Sequence, residues 1–435
     1  MSDAPPEVAP RGYVRLLREE RDFRRVYASQ LISLGGDWFA VIPLLTLLAR
    51  LTHGGLWGGL VLGADTLVFA LVAPYAGTVV DRVDRRRLMV GADIVSAALV
   101  LLLLLVRSPA TAWIAVLAIG GVAAVKSFYT PASTAALPNL VPRADLSTAS
   151  VLSGASWGSM LAVGAALGGL VALAIGERGC FVLDALSFLL SASLTARTSK
   201  PFGQARERPP SSVRADLRET VHYARSEPRV LALLCVKFGP GLGTGALALL
   251  PLFALAVYHV GPAGTGLLFS ARGLGALIGP LALRRLVLRN PTTLWPVLTG
   301  CVLAFGVSYM LLAFTPWYAV ALLLVAIAHF GGGANWILST YALQSTVPDH
   351  IAGRVFSADY MIATLAIGLS QTVTGLLSEH FDIRWVAFGL GAATASYSVA
   401  WWLATRSLRR PAAALAAQRD ATADRDGVAV RPAGG

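Results

Sequence analysis

Six ionisable side chains lie inside stretches of sequence that are otherwise almost wholly apolar: Asp37, Asp65, Lys126, Lys237, Arg272 and His329. A charge in hydrocarbon is costly, so such groups face a water-filled cavity or one another. There they can hold a proton, pair across a helix interface, or meet a charged ligand. Helical spacing gives four of them polar company on one face. Gln30 and Ser33 align with Asp37, and Thr130 and Ser133 with Lys126. Gly241 and Thr244 align with Lys237, and Gly333, Trp336 and Thr340 with His329. The expectation for the six is a role in a water-filled cavity, binding a ligand or coupling a proton, with structural ion pairs between packed helices as the alternative. Asp93 and Asp184 are expected at the periphery, as hydrogen-bonded partners near helix ends.

Nothing in the pattern argues for catalysis. His53, His259 and His380 lack cysteine or acidic neighbours at metal spacing, so neither a metal nor a cofactor is expected. Cys180, Cys235 and Cys301 are far apart and odd in number, which is no disulfide framework. A phosphate-binding G-x-x-x-x-G-K-S/T run is absent, so the chain does not hydrolyse ATP by that device. No nucleophile elbow is expected, and the chain reads as no enzyme.

The elements that carry these residues must be membrane helices. Hydrophobic residues make up 55% of the 435 and charged residues only 14%, against about 25% in soluble domains. Mean hydropathy is +0.65. A helix crosses the hydrocarbon with about 20 apolar residues. Twelve such runs are expected near 26–48, 57–79, 88–106, 112–136, 148–174, 178–196, 230–257, 263–283, 293–313, 317–345, 357–378 and 384–405. They are too long for barrel strands and show no period-2 alternation.

The net charge of +12 reflects topology, not nucleic-acid binding. With the loops numbered alternately, 29 Lys and Arg fall on one side and four (Arg50, Arg107, Arg178 and Arg384) on the other. Positive loops stay in the cytoplasm, so both termini are expected there. A polar connector separates six spans from six. The two halves look related: at an offset of 206, Ala136, Leu137, Val141 and Pro142 meet Ala342, Leu343, Val347 and Pro348. Duplicated six-helix halves are a transporter architecture.

The loop between the second and third spans reads GTVVDRVDRRRLM, from Gly77 to Met89. It resembles the major facilitator superfamily signature G-x-L-A-D-R-x-G-R-K/R, with Gly77, Asp81, Arg82, Arg85 and Arg86 on marked positions and Asp84 in place of the second glycine. This variant, with RDFRRVYASQLISLGGDW at 21–38, LDALSFLLSASL at 183–194 and QSTVPDHIAGRVFS at 344–357, resembles the drug-exporter branch of macrolide efflux proteins and the enterobactin exporter. The resemblance implies that Asp81 gates across the domain interface, facing the N-terminus of span eleven, while the arginines anchor the loop and meet anionic headgroups. GSMLAVGAALGG in span five resembles the exporter signature G-x-x-x-G-P-x-x-G-G, with Ala165 at the proline. Gly164, Gly168 and Gly169 there suit close helix packing. The fourth-span arginine of the superfamily is missing.

The expected architecture is therefore an all-α membrane protein of twelve helices in two pseudo-symmetric halves. Its parts are expected to be a cytoplasmic tail 1–25, a half 26–197, a cytoplasmic connector 198–228, a half 229–405 and a disordered cytoplasmic tail 406–435. The implied function is proton-coupled export of an amphipathic or hydrophobic small molecule across a bacterial cytoplasmic membrane, by a monomer embedded in the bilayer. An importer or lysophospholipid flippase on the same fold, and a non-transporting scaffold or receptor, are the alternative readings.

Overall fold

The computed structural model describes residues 11–80, 82–202 and 213–409. All regular structure among them is helical. A short α1 (Tyr13–Glu19) leads into α2 (Arg21–Thr52), α3 (Leu56–Val80), α4 (Arg85–Leu101), α5 (Trp113–Leu140) and α6 (Leu146–Ala196). α7 (Val213–Ser226), α8 (Pro228–Val236), α9 (Phe238–Gly243) and α10 (Leu250–Leu252) follow. Then come α11 (Gly261–Arg289), α12 (Leu294–Leu312), α13 (Tyr318–Thr346), α14 (Asp349–Leu377) and α15 (Ile383–Ala404). An apolar chain away from water must satisfy every backbone N–H and C=O within its own segment, and a helix does so.

Eleven stretches among the described residues are long and apolar enough to cross a membrane. The sequence predicts twelve, and the difference lies in α6. A continuous helix of its 51 residues would run roughly 77 Å, more than twice the ~30 Å of hydrocarbon. Gly176 interrupts it with φ 71° and ψ 171°, a backbone conformation open to glycine and not to L side chains. The two runs predicted at 148–174 and 178–196 fall on either side of this break. The run predicted at 230–257 is also no uniform helix. α8, α9, a 3₁₀ stretch (Thr244–Leu249), α10 and a wider turn (Phe253–Val257) succeed one another there. Pro240 and Pro251 remove backbone donors, and the segment is mostly buried.

Two helix pairs join the part before residue 200 to the part after 228 by backbone contact. A Cβ on Gly59 of α3 would lie 2.6 Å from the Gln371 carbonyl oxygen of α14, and one on Gly169 of α6 would lie 2.7 Å from the Pro262 carbonyl oxygen of α11. No side chain fits in either place. Around them Thr66 donates to Gln371 Oε1 at 3.1 Å and Ser270 to the Ala162 carbonyl at 2.5 Å. Glu379 Oε1 accepts from the Leu56 amide at 3.1 Å, so a carboxylate from beyond α14 caps the N-terminus of α3. Gly59, Pro262, Gln371 and Glu379 lie near the start of α3 and α11 and around the end of α14, at the end of the bundle opposite the N-terminus, while Thr66, Ala162 and Ser270 lie deeper in it.

The end that carries the N-terminus is tied by charge. Arg11 bonds Asp145 through its backbone N and its Nε at 2.7 and 2.8 Å and reaches Glu19 at 2.8 Å. Arg15 and then Arg11 hold the exposed Glu19 carboxyl below its usual range. Lys200 binds Glu20 at 2.8 Å, and the buried Asp22 accepts the Ser199 and Lys200 amides. The repeated segment is geometrically alike in both places. Val141 and Pro142 stand at φ,ψ of −126°,154° and −59°,151°, and Val347 and Pro348 at −87°,129° and −63°,148°. Each pair ends one long helix and starts the next.

Candidate functional site

The first halves of α2 and α6, the second half of α5 and the middle of α4 enclose a cavity of about 430 Å³. Gln30 and Ser33 reach it from α2, and Lys126, Tyr129, Thr130 and Ser133 from α5. Ser150 and Ser153 reach it from α6, and Asp93 and Ser96 from α4. Helical periodicity puts these residues on common faces, and the packing of four helices turns those faces toward one space. Gln30 donates to Ser133 at 3.0 Å across it.

Lys126 forms an ion pair with Asp37, and its Nζ stands 5.2 Å from the Phe188 ring centre. The two side chains are 23% and 20% exposed, so this pair is accessible. Asp184 is buried beside Gly36 and accepts from Ser187 at 3.2 Å. Asp93 accepts from Ser191 at 2.6 Å. Both lie within the field of the Asp37–Lys126 pair. Asp93 thus corrects the sequence expectation of a peripheral residue near a helix end: it sits mid-helix and lines the cavity, because α4 packs against α5 and α6 instead of standing outside them.

A second pair, Lys237 with Asp359 of α14, is sealed. The two side chains are 2% and 5% exposed. Lys237 also donates to Thr340 at 2.9 Å and stands 4.7 Å from the Trp336 ring centre. Sequence reasoning missed Asp359. The signal was present, a carboxylate within an apolar helical run, but it stands 122 residues from its partner.

The remaining predicted residues divide. Asp65 is exposed on α3 and lies in the field of Lys126, Asp37 and Arg272. Arg272 of α11 lies over Phe269 at 6.0 Å. His329 is buried and turned toward α12, where its Nε2 and the Tyr309 hydroxyl are 3.1 Å apart and Phe305 packs edge-on at 5.0 Å. Asp37, Lys126, Asp65 and Arg272 therefore form one electrostatic group, whose Arg272 also acts on the buried His329 and Tyr309, while Lys237 is enclosed elsewhere.

Asp81 lies outside the described residues, and of Gly77 only its place in α3 is described. Arg82 is exposed. Arg85 is buried and donates to the Ala135 and Phe202 carbonyls at 3.1 and 3.0 Å. Arg86 donates to the Lys200 carbonyl at 2.8 Å and covers the Phe202 ring at 5.5 Å. These two arginines hold chain carbonyls, because the segment after α6 folds back over them. Gly164 and Gly168 face Trp38 of α2, with a Cβ on Gly168 only 2.5 Å from the Trp38 carbonyl oxygen, while Gly169 faces α11. The string Gly154 to Gly158 has Gly-x-Ser-x-Gly spacing, but it lies inside α6, and Ser156 donates to the Leu152 carbonyl. Among the described residues no cluster of His, Cys, Asp and Glu fits a metal ion.

The sequence profile of the Major Facilitator Superfamily matches residues 28–371. The chain belongs to that superfamily. Its fold and family are those of a multi-pass membrane transporter, not of an enzyme, and it is drug-exporter-like in its relatives. It is 27% identical to the uncharacterized MFS-type transporter YfiS of Bacillus subtilis, over 85% of this chain and 89% of the relative. It is 22% identical to macrolide efflux protein A of Streptococcus pyogenes, over 83% and 90%. The fold matches the inward-facing, unoccupied structure of a bacterial homolog of the human lysosomal transporter Spinster with a TM-score of 0.66 and 16% identity, over 91% of this chain and 96% of that one.

Proposed function

We propose that this superfamily member is a proton-coupled exporter of amphipathic or hydrophobic small molecules, working by alternating access in a bacterial cytoplasmic membrane. The observation that carries the reading is the Asp37–Lys126 ion pair, a fifth exposed and with Lys126 on the cavity wall, while the Lys237–Asp359 pair is sealed. An ammonium on a cavity wall, paired with a carboxylate that is itself partly exposed, can exchange a proton or a ligand charge; an enclosed pair cannot do so without opening the bundle.

In this reading α6 counts as two spans around Gly176. The chain then has twelve helices, in halves 26–197 and 229–405 joined by 198–228. The positive loops put both termini in the cytoplasm, so the cavity opens inward and the contacts of Gly59, Gly169 and Glu379 close the outer side. Rocking the halves so that these contacts part would open the outer side. Asp81 would favour the outward-open state by facing span eleven. The efflux role of macrolide efflux protein A supports the export direction.

Reconstituted vesicles with an imposed pH gradient test the reading on a panel of amphipathic dyes and antibiotics. Accumulation driven by the gradient and abolished by a protonophore is the expected result. Wild-type protein that moves a substrate while ignoring the gradient defeats proton coupling. A protein that moves nothing in the panel defeats export of this substrate class.

A further inference from the structure

The first turn of α3 takes its cap from the other half of the molecule. α2 ends at His53, whose φ of 53° turns the chain back, and Gly54 and Gly55 lead into Leu56. Gly55 stands at the capping position and Gly58 three residues on, so neither side chain of a capping box is present. The first turn of α3 holds no acidic residue either. A helix start carries unpaired amides and partial positive charge. Here it is met by Glu379, just beyond α14, whose Oε1 accepts from the Leu56 amide at 3.1 Å. Among the described residues the Glu379 side chain has no other bond and no cation partner. The glycines leave the room for it. A Cβ on Gly54 would lie 2.1 Å from Glu379 Oε1, and one on Gly55 2.3 Å from Ser378 Oγ. One turn deeper, Gly59 and Gly375 bring α3 and α14 together backbone to backbone.

We infer that Glu379 is a charge latch: a helix cap borrowed across the seam, which holds the outer side shut and rests the transporter with its cavity open to the cytoplasm. This rests on the alternating-access reading above. Any motion that parts α3 from α14 at this end removes the cap, and α3 has no capping side chain of its own half to replace it. Outward opening therefore carries a cost that is independent of substrate. Glu379 is exposed, so water takes over both partners and the cost stays that of a single cap.

Two cysteine reporters test this on the full-length protein, in a background with Cys180, Cys235 and Cys301 replaced by alanine and checked for monodisperse elution. Thr66→Cys reports from the seam deeper along α3, and Thr134→Cys from the exposed wall of the cavity. Glu379→Ala should raise the reaction rate of Thr66→Cys with a thiol reagent roughly two- to thirtyfold, the worth of a helix cap. Glu379→Gln keeps an acceptor oxygen and loses the charge, and should raise it about two- to fivefold. The rate at Thr134→Cys should fall or hold in both variants, because the inner side closes as the outer side opens. An unchanged rate at Thr66→Cys in Glu379→Ala overturns the inference. So does a Gln variant that matches wild type, which leaves no role for the charge. A rise at both reporters overturns it as well, since that is loosening of the bundle and not a shift between two states. The vesicle panel reports separately. If the thiol rates shift as stated while nothing is exported, the latch stands and the substrate reading falls; if export is driven by the gradient while the rates stay put, only the latch falls.

Discussion

Replacing Lys237 by methionine removes the only hydrogen-bond partner of Asp359 among the described residues and leaves its carboxylate buried, with Oδ1 unsatisfied. The magnitude follows from the enclosure. At a contact distance of about 3 Å and an effective dielectric of about 20, two unit charges attract by roughly 5–6 kcal/mol. Taking each ion out of water costs several kcal/mol, so the intact pair is close to neutral in net stability. Breaking it is not, and typically costs about 3–5 kcal/mol. At about 2–4 °C per kcal/mol for a unit of 150–250 residues, Lys237→Met should lower the unfolding midpoint by roughly 6–20 °C. Adding Asp359→Leu should recover most of that loss, because no uncompensated charge is then left behind. Thermal unfolding in detergent, followed by the fluorescence of the ten tryptophans, measures Lys237→Met, Asp359→Leu and the double variant. A single variant within about 2 °C of wild type, or a double variant worse than either single one, would refute the buried-pair argument.

The accessible pair should behave in the opposite way. Asp37→Asn should lower stability less than Lys237→Met does, since the Asp37–Lys126 pair is partly exposed, yet abolish uphill export in vesicles; undiminished gradient-driven accumulation excludes Asp37 as the coupling group. Gly59→Val should push a side chain into the Gln371 carbonyl and splay α3 from α14. A cysteine introduced at Thr66 should then react faster with a thiol reagent than in the parent, and an unchanged rate removes that contact from the gate. For topology, an impermeant thiol reagent on intact cells should label His53→Cys and spare Ala205→Cys, and labelling at 205 from outside reverses the orientation.

Much of this protein is fixed by local chemistry. Runs of about 20 apolar residues can satisfy their backbone in lipid only as helices, so the membrane class and the position of each long helix could be read from composition and run length. The break in α6 was legible too, because Gly176 separates two runs that together exceed a bilayer. Periodicity also told which polar residues share a face, and Gln30, Ser33, Lys126, Thr130 and Ser133 do meet in one cavity. Periodicity does not tell where a face points. His329 has the same kind of polar stripe as Lys126, but α12 packs on it and Tyr309 takes its Nε2. Nor does it pair residues far apart in the chain. Lys237 and Asp359 meet because Gly241 lets the segment after α8 approach α14 at Ala366. Asp93 enters the cavity because α4 is held between α5 and α6. Burial and charge balance are sums over several helices, and only the packed bundle determines them.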